Sequence, residues 1–160
     1  MLSSLKLQNN STGSFVVNAD ELNLIETGPV ELADSGVADS VGNIQNTAGD
    51  MEITLTGDSA TIGGNLENSG NSLILDAQNA AVVVSGTMKN DAQAGSLVIN
   101  TASLSVEGGD DNNASFVNAG NVSIKVTGET SFANGVDLGT MGNDNTFSLT
   151  TGSLSWGNVT

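Results

Sequence analysis

The feature that most constrains the fold is an imperfect repeat, in which an apolar-x-Asn triplet is followed by a glycine turn and then by alternating apolar and polar residues. Its clearest copy covers residues 66–86, LENSGNSLILDAQNAAVVVSG. The opening triplet Leu66-Glu67-Asn68 returns as Met88-Lys89-Asn90, 22 residues later (90 − 68 = 22). Alternation with a period of two indicates strands with one buried face. Each unit therefore contains two or three short strands.

The triplet occurs six times, as Leu7-Gln8-Asn9, Ile44-Gln45-Asn46, Leu66-Glu67-Asn68, Met88-Lys89-Asn90, Phe116-Val117-Asn118 and Phe132-Ala133-Asn134. A unit of about 22 residues cannot bury its apolar face alone, whereas stacked units share a continuous core. We therefore predict an all-β fold, a single-domain right-handed parallel β-helix (β-solenoid) of about six to seven coils. The domain spans residues 1–160, with the regular repeats at about 44–130, and the right hand is expected from crossover chirality.

The asparagine of each triplet has a structural role in such a stack. Asparagine tolerates the backbone conformations of a corner, and its amide can both donate and accept along the stacking axis. We predict a structural ladder from coil to coil, formed by Asn46, Asn68, Asn90, Asn118 and Asn134.

Aromatic residues are few, and we expect them in the core. Phe116 and Phe132 occupy the apolar position of their triplets, as Leu66 and Met88 do, which predicts one stacked column. Trp156 lies near the end of the chain. It is predicted as an ordinary core residue, with a cap or contact role at the end of the stack as the alternative.

The charge balance excludes several classes of partner. The net charge is −15, with three Lys+Arg and no histidine. Such a chain repels a phosphate backbone and anionic lipid, so we expect neither nucleic-acid binding nor attraction to anionic lipid. No apolar run reaches the roughly 18 residues of a membrane span. We therefore expect no membrane insertion.

Catalysis is not expected either. Without histidine or cysteine, nucleophilic triads and transition-metal sites lose their usual groups, and acid–base chemistry would depend on Asp, Glu or Lys alone. The lysines Lys6, Lys89 and Lys125 lie in different repeats. The sequence therefore predicts a protein that is not an enzyme and has no organic cofactor.

Calcium is the one cofactor left open, because it binds oxygen ligands in irregular loops. The candidate ligands are Asp110, Asp111 and Asn112 in one Asn/Asp/Gly-rich loop, and Asp144 in another. Neither loop has the spacing of a known calcium motif. The alternative interpretation is a pair of solvated acidic loops.

Irregular segments interrupt the repeat at residues 27–42 and 107–113. Both follow the closing strand of a unit, so we expect both to leave the same corner of the stack. Loops on one face of a solenoid are common binding surfaces. A third polar segment, residues 139–146, lies at a different phase of the repeat.

The segments LENSGNSLILDAQNAAVVVSG and FVNAGNVSIKVTG resemble the repeat region of filamentous-haemagglutinin-type exoproteins and autotransporter adhesins. The resemblance covers residues 44–130 and is one of repeat style. It implies a long right-handed β-helix on the bacterial surface, which acts as a shaft and displays adhesive loops. It implies no particular binding residue.

Two functions are expected from these observations. The first is a non-catalytic extracellular or cell-surface adhesin, or adhesin stalk, whose partner is a glycan or protein on a host or neighbouring cell. The alternative is a self-assembling structural subunit of an extracellular filament or S-layer. Open solenoid ends favour it, because they expose unpaired backbone groups unless they are capped.

Overall fold

The computed structural model describes residues 6–9, 14–19, 22–24, 43–91, 95–109, 113–138 and 144–157. Its regular elements in these ranges are all strands. In chain order they are β1 (Lys6–Asn9), β2 (Ser14–Ala19), β3 (Leu22–Leu24), β4 (Asn43–Asn46), β5 (Asp50–Leu55), β6 (Ser59–Ile62), β7 (Leu66–Asn68), β8 (Ser72–Val84), β9 (Met88–Asn90), β10 (Ser96–Val106), β11 (Phe116–Asn118), β12 (Asn121–Val126), β13 (Glu129–Phe132), β14 (Val136–Asp137), β15 (Phe147–Thr150) and β16 (Ser153–Trp156).

The strands form two parallel sheets. The first has six strands in the order β1-β4-β7-β9-β11-β14, and the second has ten, with the main path β15-β12-β10-β8-β5-β2. Each coil contributes one strand to the first sheet, and one long or two short strands to the second. This arrangement confirms the predicted parallel β-helix.

The structure has about four turns, against the expected six to seven coils. These four turns run from β4 to β13, and β1–β3 and β14–β16 belong to two further coils that are described only in part. The triplet 132–134 does not open a coil of its own, because β13 runs into it and β14 opens the next coil only at Val136.

Equivalent positions of successive coils stack into buried columns, because the parallel strands pair in register. In the first sheet Ile44 pairs with Leu66, Leu66 with Met88, and Met88 with Phe116. All four side chains are buried. The alternation seen in the sequence thus supplies one continuous hydrophobic core between the sheets.

Phe132 does not lie in the column predicted for it. It pairs with Val106 in the second sheet, whereas Phe116 belongs to the first. The two rings nevertheless meet across the core, with centroids 5.9 Å apart, and the ring of Phe147 lies 6.0 Å from that of Phe116. The prediction of burial is correct and the predicted register is wrong.

The last coil carries the exposed apolar side chains. Trp156 is 63% exposed, and Leu154 and Leu138 are 41% and 39% exposed. The strand of Trp156, β16, pairs only with β13 among the described strands. Trp156 is therefore a surface residue at the end of the stack, and its expected core position is wrong.

Candidate functional site

Four of the five predicted ladder residues form an unbroken chain of side-chain hydrogen bonds, which we call the corner ladder (Asn46, Asn68, Asn90 and Asn118). Asn46 Nδ2 donates to Asn68 Oδ1 at 2.9 Å, and Asn68 Nδ2 donates to Asn90 Oδ1 at 3.0 Å. Asn90 Nδ2 then donates to Asn118 Oδ1 at 2.9 Å. All four are buried, with exposures of 0–1%. Buried amides need such partners, so the ladder fixes the register of successive coils.

The same amides also hold the turn that follows each first-sheet strand. Asn68 Oδ1 accepts a second hydrogen bond, from the backbone N–H of Gly70 at 3.3 Å. Asn68 Nδ2 also donates to the carbonyl of Ser96 at 3.0 Å, on the next coil. One side chain therefore joins a turn to the strand above it, which explains why asparagine recurs at this corner.

Asn134 is not part of the corner ladder. Its Nδ2 donates to the carbonyl of Gly108 at 3.2 Å, and its backbone N–H donates to Ser115 Oγ at 2.7 Å. In the first sheet, Val136 and Asp137 pair with Phe116 and Val117. The residue that follows in register with Asn118 is thus Leu138. The ladder prediction for Asn134 is wrong because its triplet belongs to another corner.

The predicted calcium ligands are not assembled by the described residues. Asp110, Asp111 and Asn112 lie outside the described ranges. Asp144 is exposed in a turn. Within the described part of the chain, no group of three or more His, Cys, Asp or Glu side chains could hold a metal ion. Calcium binding at these residues stays a prediction.

The two long insertions begin and end at equivalent points of the coil. Leu24 pairs with Ile62, Ile62 with Val84, and Val84 with Val106, so residues 25–42 and 107–114 follow one column. In the regular coils only two residues, such as Ser85 and Gly86, occupy the place of these insertions, and a third, Thr87, precedes the first-sheet strand that begins at Met88. Residues 25–42 and 110–112 lie outside the described ranges.

A polar groove lies at the opposite bend, where the second sheet changes direction. It encloses about 410 Å³. We define it by its lining residues, which carry amide, hydroxyl and ammonium groups: Gln78, Asn79, Asn100, Thr101, Lys125 and Thr127.

The groove arises from a difference in bend length between neighbouring coils. The register of β8 and β10 shifts between Thr101 and Ser103, because Thr101 pairs with Ala77 and Ser103 with Ala81. Three residues of β8 (78–80) thus face the single residue Ala102 of β10. The longer bend thus contributes extra residues, and two of them, Gln78 and Asn79, line the groove.

One carboxylate oxygen beside the groove lacks a hydrogen bond. Oδ1 of Asp76 is buried and has no partner among the described residues. Its other oxygen accepts a hydrogen bond from Gln78 Nε2 at 3.4 Å. Asp76 also pairs in register with Asn100, which lines the groove. A buried acceptor without a donor costs free energy of folding at this position.

The groove was not predicted from the sequence, although the sequence contains a signal for it. Four residues separate Ala77 from Val82, whereas two separate the equivalent Thr101 from Leu104. Comparing the bend lengths of successive units would have located the longer bend. It would not have shown that Lys125, two coils beyond Asp76, faces the same hollow.

Comparisons of this chain with protein-family models, with curated proteins and with solved structures gave no match. Among the described residues, no helix has the length and apolar character that crossing a membrane requires.

Proposed function

We propose that this chain is a non-catalytic segment of a bacterial surface adhesin, of the filamentous-haemagglutinin or autotransporter type, and that it acts extracellularly as a stiff shaft with adhesive loops. The observation that carries the proposal is the common corner from which residues 25–42 and 107–114 depart. Repeated coils that tolerate long insertions at one corner provide a scaffold for display. The repeat style of residues 44–130 supports the adhesin family.

The shaft owes its stiffness to bonds that run along its axis. Backbone pairing between parallel strands and the corner ladder both join one coil to the next. The loops at the common corner then meet a glycan or protein of a host or neighbouring cell. With a net charge of −15, the partner surface is neutral or carries cationic groups at the contact.

The test shortens each insertion to the two-residue corner of the regular coils. Residues 107–114 and 25–42 are each replaced by Ser-Gly, as found at Ser85-Gly86. We expect beads coated with the native chain to adhere to epithelial or bacterial cells, and the double replacement to abolish adhesion. The control variant shortens the segment 139–143, which in the chain follows a first-sheet strand and not a second-sheet strand. Equal adhesion by native and doubly shortened proteins would refute the loop assignment.

A second candidate function is end-to-end self-assembly, and the exposed side chains of the last coil favour it. Leu154 and Trp156 lie on β16, whose outer edge has no described neighbour. Leu22 and Leu154 share one column of the stack, and Leu24 and Trp156 share another. A second copy that continued the register would therefore place its Leu22 and Leu24 beside Leu154 and Trp156. Such a head-to-tail contact does not close and generates filaments. Light scattering and negative-stain imaging over a concentration series would detect them.

A further inference from the structure

We propose that the polar groove binds a neutral, hydroxyl-rich saccharide unit, and that this is a second contact site of the shaft, distinct from the corner loops. The inference rests on the proposed adhesin function, because it names a ligand class for that function. It places the contact on the wall of the coil stack.

The groove is lined by closely spaced polar side chains. Gln78, Asn79, Lys125 and Thr127 are exposed, and Asn100 is half-buried. Each side-chain amide can both donate and accept hydrogen bonds. The hydroxyl groups of a sugar can also do both, so the two kinds of group are complementary. The volume of about 410 Å³ lies within the range of small-molecule sites.

The floor of the groove is held in place by the fold. Thr101 is buried, and its Oγ1 donates to the carbonyl of Ala80 at 2.6 Å. The backbone N–H of Thr127 donates to the carbonyl of Thr101 at 3.1 Å. The bends of three successive coils are thus joined, and the side chains that line the groove lie on pre-organised backbone.

The carboxylate of Asp76, which adjoins the groove, constrains the charge of the ligand. Asp76 accepts a hydrogen bond from Gln78 and pairs in register with Asn100, and both of these residues line the groove. A carboxylate or sulfate of the ligand would be repelled there, whereas the hydroxyl groups of a neutral sugar would not.

Charge selects a neutral saccharide over an acidic one. Among the described residues that line the groove, Lys125 alone is cationic, and Asp76 lies two coils away in the same column. The chain as a whole carries a net charge of −15, which opposes the approach of an acidic polymer. The Lys125 ammonium then serves as a hydrogen-bond donor to hydroxyl or ring oxygens.

The experiment is a binding screen with defined oligosaccharides. Cellotetraose, maltotetraose, chitotetraose and lacto-N-tetraose form the neutral set, and trigalacturonate and 3′-sialyllactose form the acidic set. Saturation-transfer NMR detects binding to the full chain, and titration gives the affinity. We expect at least one neutral tetrasaccharide to bind, and neither acidic one to bind more tightly.

Matched variants locate the site. Asn100→Ala and Lys125→Met should each weaken binding about five- to tenfold, as expected for the loss of a ligand hydrogen bond. Asn71→Ala and Lys89→Met remove the same groups outside the groove and should leave affinity unchanged. Circular dichroism and the urea midpoint check that all four variants fold as the native chain does.

The outcomes separate this inference from the adhesin proposal. If no neutral oligosaccharide binds, or if Asn100→Ala and Lys125→Met bind as tightly as the native chain, the groove site is refuted. Cell adhesion that depends on the corner loops could still be observed in that case. Groove binding without any cell adhesion would instead refute the adhesin function and leave the saccharide site standing.

Discussion

Asn68 donates a hydrogen bond from Nδ2 to Oδ1 of Asn90 over 3.0 Å, although 22 residues separate them in the chain. The bond connects equivalent points of two coils. The separation of 22 residues is thus the length of the turn between Asn68 and Asn90. One copy of the sequence repeat corresponds to one turn of the solenoid. A buried amide that bonds to its own copy along the axis penalises any slip of register.

We predict that Asn68→Asp strongly destabilises the chain. The substitution replaces the donor to Asn90 Oδ1 and to the Ser96 carbonyl with an acceptor, and buries a charge there. The expected loss in unfolding free energy is about 4 kcal/mol or more. Asn134→Asp is the matched control, because that half-buried residue lies outside the corner ladder, and it should cost about 1 kcal/mol. Urea unfolding followed by circular dichroism measures both, and equal losses would contradict a special role for the ladder.

Gly70→Ala should also destabilise the corner. A Cβ at Gly70 would collide with the Ala48 carbonyl oxygen and with Asn46 Nδ2 of the ladder. At Gly128 the nearest atom, the carbonyl oxygen of Ala102, would be 2.8 Å away. We expect a loss of about 3 kcal/mol for Gly70→Ala and about 1 kcal/mol for Gly128→Ala. Neither glycine has a positive φ, so the comparison of thermal unfolding midpoints reports crowding and not backbone strain. Similar midpoints for the two variants would count against the predicted crowding at Gly70.

The fold could be predicted from the sequence because two features of the repeat indicate it, the alternation of apolar residues and the corner asparagines. The predicted positions of Phe132 and Asn134 were wrong, because their triplet has the same pattern as the others. Their register depends on which strand of the neighbouring coil they pair with, and Phe132 pairs with Val106. The groove was missed for a related reason. The sequence contains the difference in length between the bends after Ala77 and after Thr101, but only the pairing of the strands shows which side chains of neighbouring coils lie together at those bends.

The aromatic contact in the core gives a third prediction. Phe116 is fully buried, and its ring meets those of Phe132 and Phe147. Phe116→Ala should lower the unfolding free energy by about 3–5 kcal/mol, because it leaves a cavity beside the rings of Phe132 and Phe147. Phe116→Leu should cost only about 1 kcal/mol, since the same column already accepts Leu66. Denaturant titration of both variants is the measurement, and a small loss for Phe116→Ala would mean that the ring contacts contribute little.

Tryptophan fluorescence provides the last prediction, because the chain has a single tryptophan. Trp156 is 63% exposed on the outer strand of the last coil, so the isolated chain should emit at the long wavelength of a water-exposed indole. If a second copy adds its first coil to this edge, the indole becomes buried, and the emission shifts to shorter wavelength as the protein concentration rises. Trp156→Phe removes the signal but keeps an apolar side chain, so light scattering of this variant controls for the mutation. Leu154→Lys places a charge in the same contact and should abolish the concentration dependence. The emission maximum could instead stay constant over a thousandfold dilution, roughly from millimolar to micromolar. That result would mean that no second copy covers this edge, and it would favour the adhesin shaft over the filament subunit.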